Sequence, residues 1–539
     1  MPEACVATER ALACRARRPA ATATVRTTSE ARAPARGDAL REVVGFTTSA
    51  RRTSWPNFFR GGLAVSRSRG LAARGSLCHG SRVIDADALR AHDASLFAAR
   101  RARLLATFAG EALIPAGVPF PKNYPANPFP FRASSHFLYL VGLPLPGAQL
   151  VLRGDDTTLY VEAPAADDEL WHGPTPSLDD LARVTGLRVA PLDAFAPLSP
   201  DAAVLLPQGE RARVTAAGLL RREITPPTDE DLALQDAMIA LRLVHDAGAI
   251  AELRRAAEAT VAAHRAGMAA TRVGVTEFAI AAAMEGELMR RGMSTSYGSI
   301  VSVRGEILHN HSHAGTTKEG DLLLADVGAE TGLGFAGDVT RTWPVSGRFD
   351  GPQRALYEVV LAAQKDAIAR CTAGTRYRDV HLAACRAIAE GLVGLGILRG
   401  DVDELVADGV HATFFPHGIG HLLGLDVHDM EDLGDRAGYA AGRERSTQFG
   451  LGYLRLDRDL QPGMAVTIEP GFYAVPAILR DPERRRVAKD RIDFATLEAF
   501  ASVRGIRIED DVLVTDGAPE VLTAALPKDA AAIEACVGA

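Results

Sequence analysis

Two consecutive apolar segments, LLLADVGAE and FAGDVTRTWPV, each carry an aspartate where a buried strand is expected. Asp326 ends the first run, and an unpaired carboxylate buried there would cost several kcal/mol. If the chain turns near Gly332, antiparallel pairing sets Asp326 opposite Asp338, with Cβ atoms about 4.5 to 5.5 Å apart. Like charges at that separation need a cation between them or a proton on one of them. From these residues alone, the alternative is that one aspartate only caps a turn.

A histidine-rich segment follows much later in the chain. FFPHGIGHLLGLDVHD places His417, His421 and His428 within twelve residues, beside glycines and a proline that interrupt regular structure. A single histidine in an apolar segment is usually a core residue. Three together favour a polar site over a packing role.

Two glutamates end further apolar runs. PGMAVTIEPGFY sets Glu469 before a Pro-Gly turn, and RGIRIEDDVLVT sets Glu509 two residues after Arg507. Side chains two apart on a strand share a face, so the arginine can keep the carboxylate ionised. Four carboxylates and one imidazole suit Mn(II), Co(II), Fe(II) or Zn(II) and suffice for two ions. Two such ions about 3.5 Å apart activate a bridging water, so hydrolysis is the expected reaction.

Composition excludes several classes of protein. The 539 residues, 47% hydrophobic and 24% charged, suffice for two or three globular domains. A net charge of -7 argues against a nucleic-acid partner. No apolar run approaches the roughly 18 residues of a membrane span. The six cysteines show no C-x-x-C spacing, which favours reduced thiols and a cytoplasmic location.

The chain divides into three predicted parts. Residues 1–82 contain fifteen Arg, no Lys and five acidic residues. We expect this leader to be disordered or a product of translation assigned too far upstream; import into an organelle is the less favoured alternative. Residues 83–227 mix a helical start with strand-like runs (HFLYLVGL, AQLVLRG, TTLYVEA) and form a small α/β domain. Thr228 to Asp231 has the shape of a helix capping box, so residues 228–539 form the second domain.

Taken together, DVGAE with GDVTRTWPV, FPHGIGHLLGLDVHD, TIEPGFY and GIRIEDD resemble the pita-bread metallopeptidases, in the aminopeptidase P and prolidase branch. The resemblance extends from about Leu89 to Thr523. It implies an α/β (α+β) pita-bread catalytic domain behind a smaller aminopeptidase P-type domain, assembled as a homodimer or homotetramer. The implied reaction is release of the first residue from peptides with proline at the second position.

The resemblance also assigns a ligand set. The family's five metal ligands fall, in order and spacing, on Asp326, Asp338, His421, Glu469 and Glu509. By this resemblance Asp338 and Glu509 bridge two ions, with Mn(II) the first choice of metal. Asp326 binds one ion, and His421 and Glu469 bind the other. Glu469 also takes the proton from the bridging water, which as hydroxide attacks the scissile carbonyl.

Four more residues receive roles by resemblance. His309 approaches the substrate near its N-terminus, His428 hydrogen-bonds the scissile carbonyl, His417 lines the proline pocket, and Arg507 orients Glu509. His311 and His313, in the same EILHNHSH segment as His309, are expected in a solvated loop.

The amino-terminal segments FPFRASSHFLYLVGLPLPGAQLVL and DDELWHG resemble the family's first domain, which docks against a neighbouring subunit's active site and limits peptide length. We expect Phe131, Phe137, Tyr139 and Trp171 in its core.

Two alternatives remain open. A charged insertion, AILRDPERRRVAKDRIDFATLEAFASV, resembles that of prolidases, which accept only Xaa-Pro dipeptides, whereas LDRDLQPGMAVTIEPGFY suits the aminopeptidases. Some pita-bread domains have lost their ligands and serve as binding modules, but the intact ligand set argues against that function.

Overall fold

The structure is a computed structural model that describes residues 89, 92–154, 156–164 and 168–538. The predicted leader, residues 1–82, lies outside these residues. Among the helices that the structure describes, none combines the length and the apolar character that crossing a bilayer requires.

The first part of the described chain is built around a five-stranded mixed sheet. Its strands are β1 (Ala112–Pro115), β2 (Gln149–Leu152), β3 (Thr158–Val161), β4 (Arg188–Pro191) and β5 (Ala203–Val204), in the spatial order β4-β3-β2-β1-β5. β2 is antiparallel to β1 and β3, and the outer pairings are parallel. The accompanying helices are α1 (Ala94–Thr107), α2 (Ser135–Val141), α3 (Asp168–His172), α4 (Leu178–Thr185) and α5 (Glu210–Leu220). Strands β2 and β3 confirm the predictions for AQLVLRG and TTLYVEA.

The strand predicted for HFLYLVGL is wrong, because these residues form the helix α2. Every residue from His136 to Val141 is buried, so the run carries no periodicity that separates a short buried helix from a strand. The helix ends at Gly142, which adopts the left-handed conformation (φ 74°). A Cβ at Gly142 would lie 2.1 Å from the Phe97 ring, so only glycine fits this close approach.

The predicted capping box is present. The Thr228 hydroxyl accepts from the Asp231 N–H (3.2 Å), and the Asp231 carboxylate accepts from the Thr228 N–H (2.9 Å), at the start of α6 (Asp229–Arg242). The helical conformation ends after Arg242 and starts again at Asp246, the N-cap of α7 (Ala247–Ala270).

The second part of the described chain contains short sheets framed by helices. Its strands are β6 (Ser294–Thr295), β7 (Ile300–Ser302), β8 (Leu322–Asp326), β9 (Ala329–Glu330), β10 (Thr340–Pro344), β11 (Ala465–Ile468), β12 (Gly471–Tyr473), β13 (Gly505–Arg507), β14 (Asp510–Leu513) and β15 (Glu520–Val521). They pair as β10-β8-β7, β11-β14-β15, β12-β13 and β6-β9. The helices are α8 (Glu277–Arg290), α9 (Gly351–Ala369), α10 (Tyr377–Gly394), α11 (Val402–Ala407), α12 (Asp435–Gly438), α13 (Pro476–Arg480), α14 (Pro482–Ala488), α15 (Phe494–Glu498) and α16 (Ala530–Glu534). The charged insertion folds as α13 to α15.

The predicted register of the two aspartates is wrong by two residues. Asp326 is directly opposite Thr340, and Asp338 lies two residues before β10. A shift of two keeps every side chain on its face of the sheet, whereas a shift of one would reverse it. Asp338 is therefore a diagonal neighbour of Asp326 on the same face.

The core of the amino-terminal sheet continues into the second part of the chain. Phe335, Leu423 and Leu425 pack in the same buried cluster as the strands β1 to β3. Phe137 and Tyr139 belong to this cluster and Phe131 packs against it, as expected. Trp171 was predicted in the core but is 70% exposed, because it lies on the five-residue helix α3 at the surface.

Candidate metal centre

Three predicted ligands converge at the end of the β10-β8-β7 sheet. Asp338, His421 and Glu509 are buried, and one ligand atom of each lies within 4.8 Å of the others. β8 and β10 are antiparallel, β11 and β14 are antiparallel, and the Glu509 N–H donates to the Thr340 carbonyl (3.0 Å), which joins the two sheets. The apolar strands therefore end at one cluster of polar side chains.

Asp326 joins this cluster through a tyrosine. The Tyr297 hydroxyl lies 2.5 Å from Asp326 Oδ1 and 2.6 Å from Asp338 Oδ1. One hydroxyl carries one proton, so it can donate to only one carboxylate at a time. The second contact requires a proton on a carboxyl or a cation in the site.

Glu469 closes the cluster from the β11 side. Its Oε1 lies 3.8 Å from His421 Nε2, and its Oε2 lies 3.5 Å from His417 Nδ1. The histidine segment runs beside β11, since the Thr467 N–H donates to the His421 carbonyl (3.0 Å). Gly420 permits this approach, because a Cβ there would lie 2.2 Å from the Thr467 carbonyl oxygen.

His421 has the arrangement of a metal ligand. Its Nδ1 lies 3.0 Å from the Leu422 carbonyl and donates to it, which leaves the Nε2 lone pair facing Asp338 Oδ2 at 3.3 Å. Two acceptors at that distance repel unless a proton or a cation lies between them. Burial lowers the pKa of His421, but the Asp338 carboxylate outweighs it and raises the pKa.

Burial also raises the pKa of most carboxyls in the cluster. It raises the pKa of Glu469 to about 7 and that of Glu509 well above its usual range, where Asp338 adds to the effect. The pKa of Asp326 is raised by burial although Arg507 opposes it. For Asp338, the neighbouring His421 outweighs burial and lowers the pKa. The metal-free cluster therefore retains protons that a divalent cation would replace, and its residues fit such an ion.

Arg507 makes contacts that differ from the expected one with Glu509. Its Nη2 donates to Asp326 Oδ2 (2.5 Å), and its Nε donates to Thr340 Oγ1 (2.9 Å). The Thr340 hydroxyl in turn donates to Glu509 Oε2 (2.7 Å), so Arg507 reaches Glu509 only through Thr340. The register shift explains this, because it sets Thr340 rather than Asp338 opposite Asp326.

A hydrogen-bonded chain fixes His417. Arg507 Nη1 donates to the Tyr473 hydroxyl (3.0 Å), and the Tyr473 hydroxyl donates to His417 Nε2 (2.9 Å). The Nδ1–H of His417 faces the Gly418 carbonyl at 2.8 Å. Burial, with Arg507 nearby, lowers the pKa of His417 to about 3, so the ring is neutral.

His428 lies beside the ligand histidine, with ring centroids 4.2 Å apart. Its Nδ1 is 3.4 Å from Glu431 Oε2, and Glu431 binds the Arg455 guanidinium at 2.6 and 2.8 Å. His309 is exposed as a residue, and partial burial of its ring, with Arg507 and Arg455 nearby, lowers its pKa.

Sequence comparisons agree with this geometry. Residues 251–516 match metallopeptidase family M24, and residues 97–204 match the aminopeptidase P N-terminal domain. Xaa-Pro aminopeptidase 2 of Streptomyces coelicolor is 33% identical over 473 residues, which cover 83% of this chain and 92% of the relative. The human Xaa-Pro dipeptidase is 33% identical over 426 residues, 76% of this chain and 84% of the relative.

The chain belongs to metallopeptidase family M24, in the aminopeptidase P group. The structure of Pseudomonas aeruginosa aminopeptidase PepP matches 83% of this chain and 98% of its own, with 32% identity and a TM-score of 0.69. The predicted pita-bread fold behind an aminopeptidase P-type domain is thereby confirmed, and the chain is a hydrolase. The predicted division at residues 227 and 228 lies between the two family matches and stays a prediction.

Several residues of this M24 site carry no signal in the sequence that would have predicted them. Tyr297 lies in STSYGSI, which carries no motif, and Arg455 is one of many arginines in its segment. Tyr473 ends the quoted TIEPGFY motif, but only the fold brings it to His417. His311 is exposed as expected. His313 lies in the predicted loop but is half-buried rather than solvated, because its ring packs edge-on against Phe278 and lies 2.9 Å from the Ser299 carbonyl.

Proposed function

We propose that this chain releases the first residue from peptides that begin Xaa-Pro, in a site that holds two divalent ions, with Mn(II) as first choice and Co, Fe or Zn as alternatives. The observation that carries the proposal is the convergence of buried carboxylates on His421 Nε2. The similarity to an Xaa-Pro aminopeptidase and an Xaa-Pro dipeptidase supports the choice of proline peptides. A cytoplasmic location and a homodimer or homotetramer stay predictions.

The ions would be held by the five residues expected from the sequence: Asp326, Asp338, His421, Glu469 and Glu509. When bound, divalent ions lower the pKa of water and polarise a carbonyl oxygen. Glu469 is proposed to accept the proton of the attacking water, because its carboxylate lies at the edge of the cluster between His421 and His417 and is partly exposed.

The histidines around the cluster are proposed to handle the peptide. His428, oriented by Glu431 on its Nδ1 side, hydrogen-bonds the carbonyl that is attacked. His417, whose side chain is 19% exposed, is held between the buried rings of Tyr473 and Phe415, the latter with its centroid 4.9 Å away, and we propose that the exposed part of the imidazole forms a wall for the proline ring. Proline suits such a wall because its amide offers no N–H and its ring fixes φ near −65°.

A peptide series tests the proposal. The Mn(II)-loaded protein is incubated with Xaa-Pro, Xaa-Pro-Yaa and longer Xaa-Pro peptides, and with Xaa-Ala-Yaa as control. Release of the first residue from tripeptides and longer chains, with the alanine control intact, is expected. Cleavage confined to dipeptides would favour a prolidase. No cleavage of any peptide by protein carrying two Mn(II) would refute the proposed function.

The position of Arg455 near the proposed substrate site supports a dipeptidase as the second candidate function. Its guanidinium, 39% exposed, lies on Glu431, which contacts His428 beside the proposed position of the scissile carbonyl. In an Xaa-Pro dipeptide a carboxylate follows proline directly, and a guanidinium binds carboxylates in a bidentate manner.

We expect Arg455→Met to lower kcat/KM for an Xaa-Pro dipeptide at least about tenfold more than for a tetrapeptide, the loss of one charge-assisted hydrogen bond. The control is Arg443→Met, which removes an arginine bound to Asp459 (2.9 Å) in the same segment. An equal effect on both substrates would exclude Arg455 from carboxylate binding.

A further inference from the structure

Arg132 connects two loops that directly adjoin proposed metal ligands. It lies just before α2 in the amino-terminal part of the chain. Its Nε donates to Glu330 Oε2 (2.6 Å), and its Nη2 donates to the carbonyls of Gly334 (3.2 Å) and Leu425 (2.5 Å). Glu330 and Gly334 belong to the hairpin between Asp326 and Asp338, which we call the aspartate hairpin (residues 327–337). Leu425 belongs to the segment after His421, which we call the histidine loop (residues 422–429).

The aspartate hairpin and the histidine loop also meet directly. The Ala336 N–H donates to the Gly424 carbonyl (2.9 Å). At Gly334 the backbone has φ +87°, and a Cβ there would lie 3.0 Å from Leu425 Cδ2 and 3.3 Å from Arg132 Nη2. The tip of the aspartate hairpin therefore packs against the histidine loop, and the Arg132 guanidinium lies where the two meet.

The guanidinium is itself held in place from the amino-terminal side. Its Nη1 donates to the Ser135 hydroxyl (2.9 Å), and this hydroxyl donates to Asp426 Oδ1 (2.6 Å) in the histidine loop. Asp426 Oδ1 is also 3.3 Å from Arg132 Nη2. The planar fork therefore spans both loops, which a single ammonium group could not do.

We propose that Arg132 is a positioning residue that sets the distance between the aspartate hairpin and the histidine loop, and that the amino-terminal domain thereby contributes to divalent-ion affinity. His421 Nε2 and Asp338 Oδ2 are 3.3 Å apart, and Asp338 directly follows the aspartate hairpin whereas His421 directly precedes the histidine loop. Because metal–ligand distances tolerate only about 0.2 Å, a small relative shift of the segments weakens binding. The inference rests on the proposed function, since it takes Asp326, Asp338 and His421 as ligands.

The test is calorimetric titration of Mn(II) into the full chain after removal of metal, for wild type and four variants. Arg132→Ala removes the bridge. Arg132→Lys keeps the charge beside Glu330 but cannot reach both carbonyls. Glu330→Gln keeps the bridge and removes one ion pair. Arg153→Ala is the matched control, because Arg153 also pairs with a glutamate, Glu111, and donates to two carbonyls, those of Ala196 and Pro197.

Arg132→Ala and Arg132→Lys are expected to bind Mn(II) roughly tenfold more weakly than wild type, the lower end of the range for residues behind metal ligands. Glu330→Gln is expected to stay within about twofold of the wild-type affinity, because the amide oxygen can still accept from Arg132 Nε. Arg153→Ala is expected to do the same, because Arg153 contacts neither loop. Wild-type affinity in Arg132→Ala would overturn the inference. So would equal losses in Arg132→Ala and Arg153→Ala, recovery in Arg132→Lys, or a tenfold loss in Glu330→Gln. A wild-type protein that binds no Mn(II) would refute the proposed function itself.

Discussion

A Glu469→Gln enzyme saturated with Mn(II) is expected to keep its fold and to lose turnover by about 10³-fold, within the range of general acid–base catalysis. The carboxyl is mostly buried, with 18% of its side chain exposed, and burial raises its pKa to about 7. It faces His421 on one side and His417 on the other. Glutamine fills the same volume but cannot accept a proton from the attacking water.

The measurement must separate the lost base from a weakened ligand. Metal content is therefore determined on the sample used for kinetics, and kcat is measured at saturating Mn(II). Glu252→Gln is the control, since Glu252 is also buried (9% exposed) but pairs with Arg255 on α7. If Glu469→Gln retained both its metal and the wild-type kcat, another group would have to accept the proton.

The proposed ligand residues could be singled out in the sequence because several of them carry a local signal. Asp326 ends β8 and Glu469 follows β11, so an ionisable group stands where an apolar run stops. The contacts between them could not be predicted, because they depend on register. The observed register differs from the predicted one by two residues, so Thr340 rather than Asp338 lies opposite Asp326. The Thr340 hydroxyl, and not Glu509, then accepts a hydrogen bond from Arg507 Nε.

Individual elements of the fold show the same difference between what can and what cannot be predicted from the sequence. The capping box at Thr228 is a local pattern of hydrogen bonds and was predicted correctly. The helix α2 was not, since its residues are buried on all sides and lack an amphipathic period. Arg132 lies in a quoted motif, yet its role depends on Gly334 and Leu425, which are distant in the chain. Sequence patterns report burial and local capping, whereas long-range partners emerge only from the assembled fold.

Mn(II) affinity is expected to rise steeply with pH between about 5 and 8, with net release of protons on binding. Burial raises the pKa of Glu469 to about 7, so this carboxyl of the metal-free site is protonated in the lower part of the range, and burial also raises the pKa values of Asp326 and Glu509. An ion must displace those protons before the carboxylates can bind it. Calorimetry in two buffers of different ionisation enthalpy measures the release, and an uptake of protons would contradict the assignment.

The stability of the metal-free protein should change in the opposite direction. The Glu469 carboxyl has a pKa of about 7 in the folded chain and near 4.5 when unfolded. Below about 4.5 it is protonated in both states and contributes nothing. As pH rises towards about 7 the folded state binds more protons than the unfolded state, so the free energy of unfolding falls, and the loss is complete above about 7. Urea denaturation of chelator-treated protein at several pH values measures this contribution.

Two comparisons isolate the Glu469 contribution from the other carboxyls. Glu469→Gln cannot titrate, so its free energy of unfolding should be flatter than that of wild type between about pH 5 and 7. Saturating Mn(II) should flatten the wild-type curve as well, because the ion replaces the protons and stabilises the folded state by mass action. If the metal-free wild type and Glu469→Gln changed in parallel across this range, Glu469 would not be a buried, protonated ligand, and its proposed roles as ligand and base would both lose their electrostatic support.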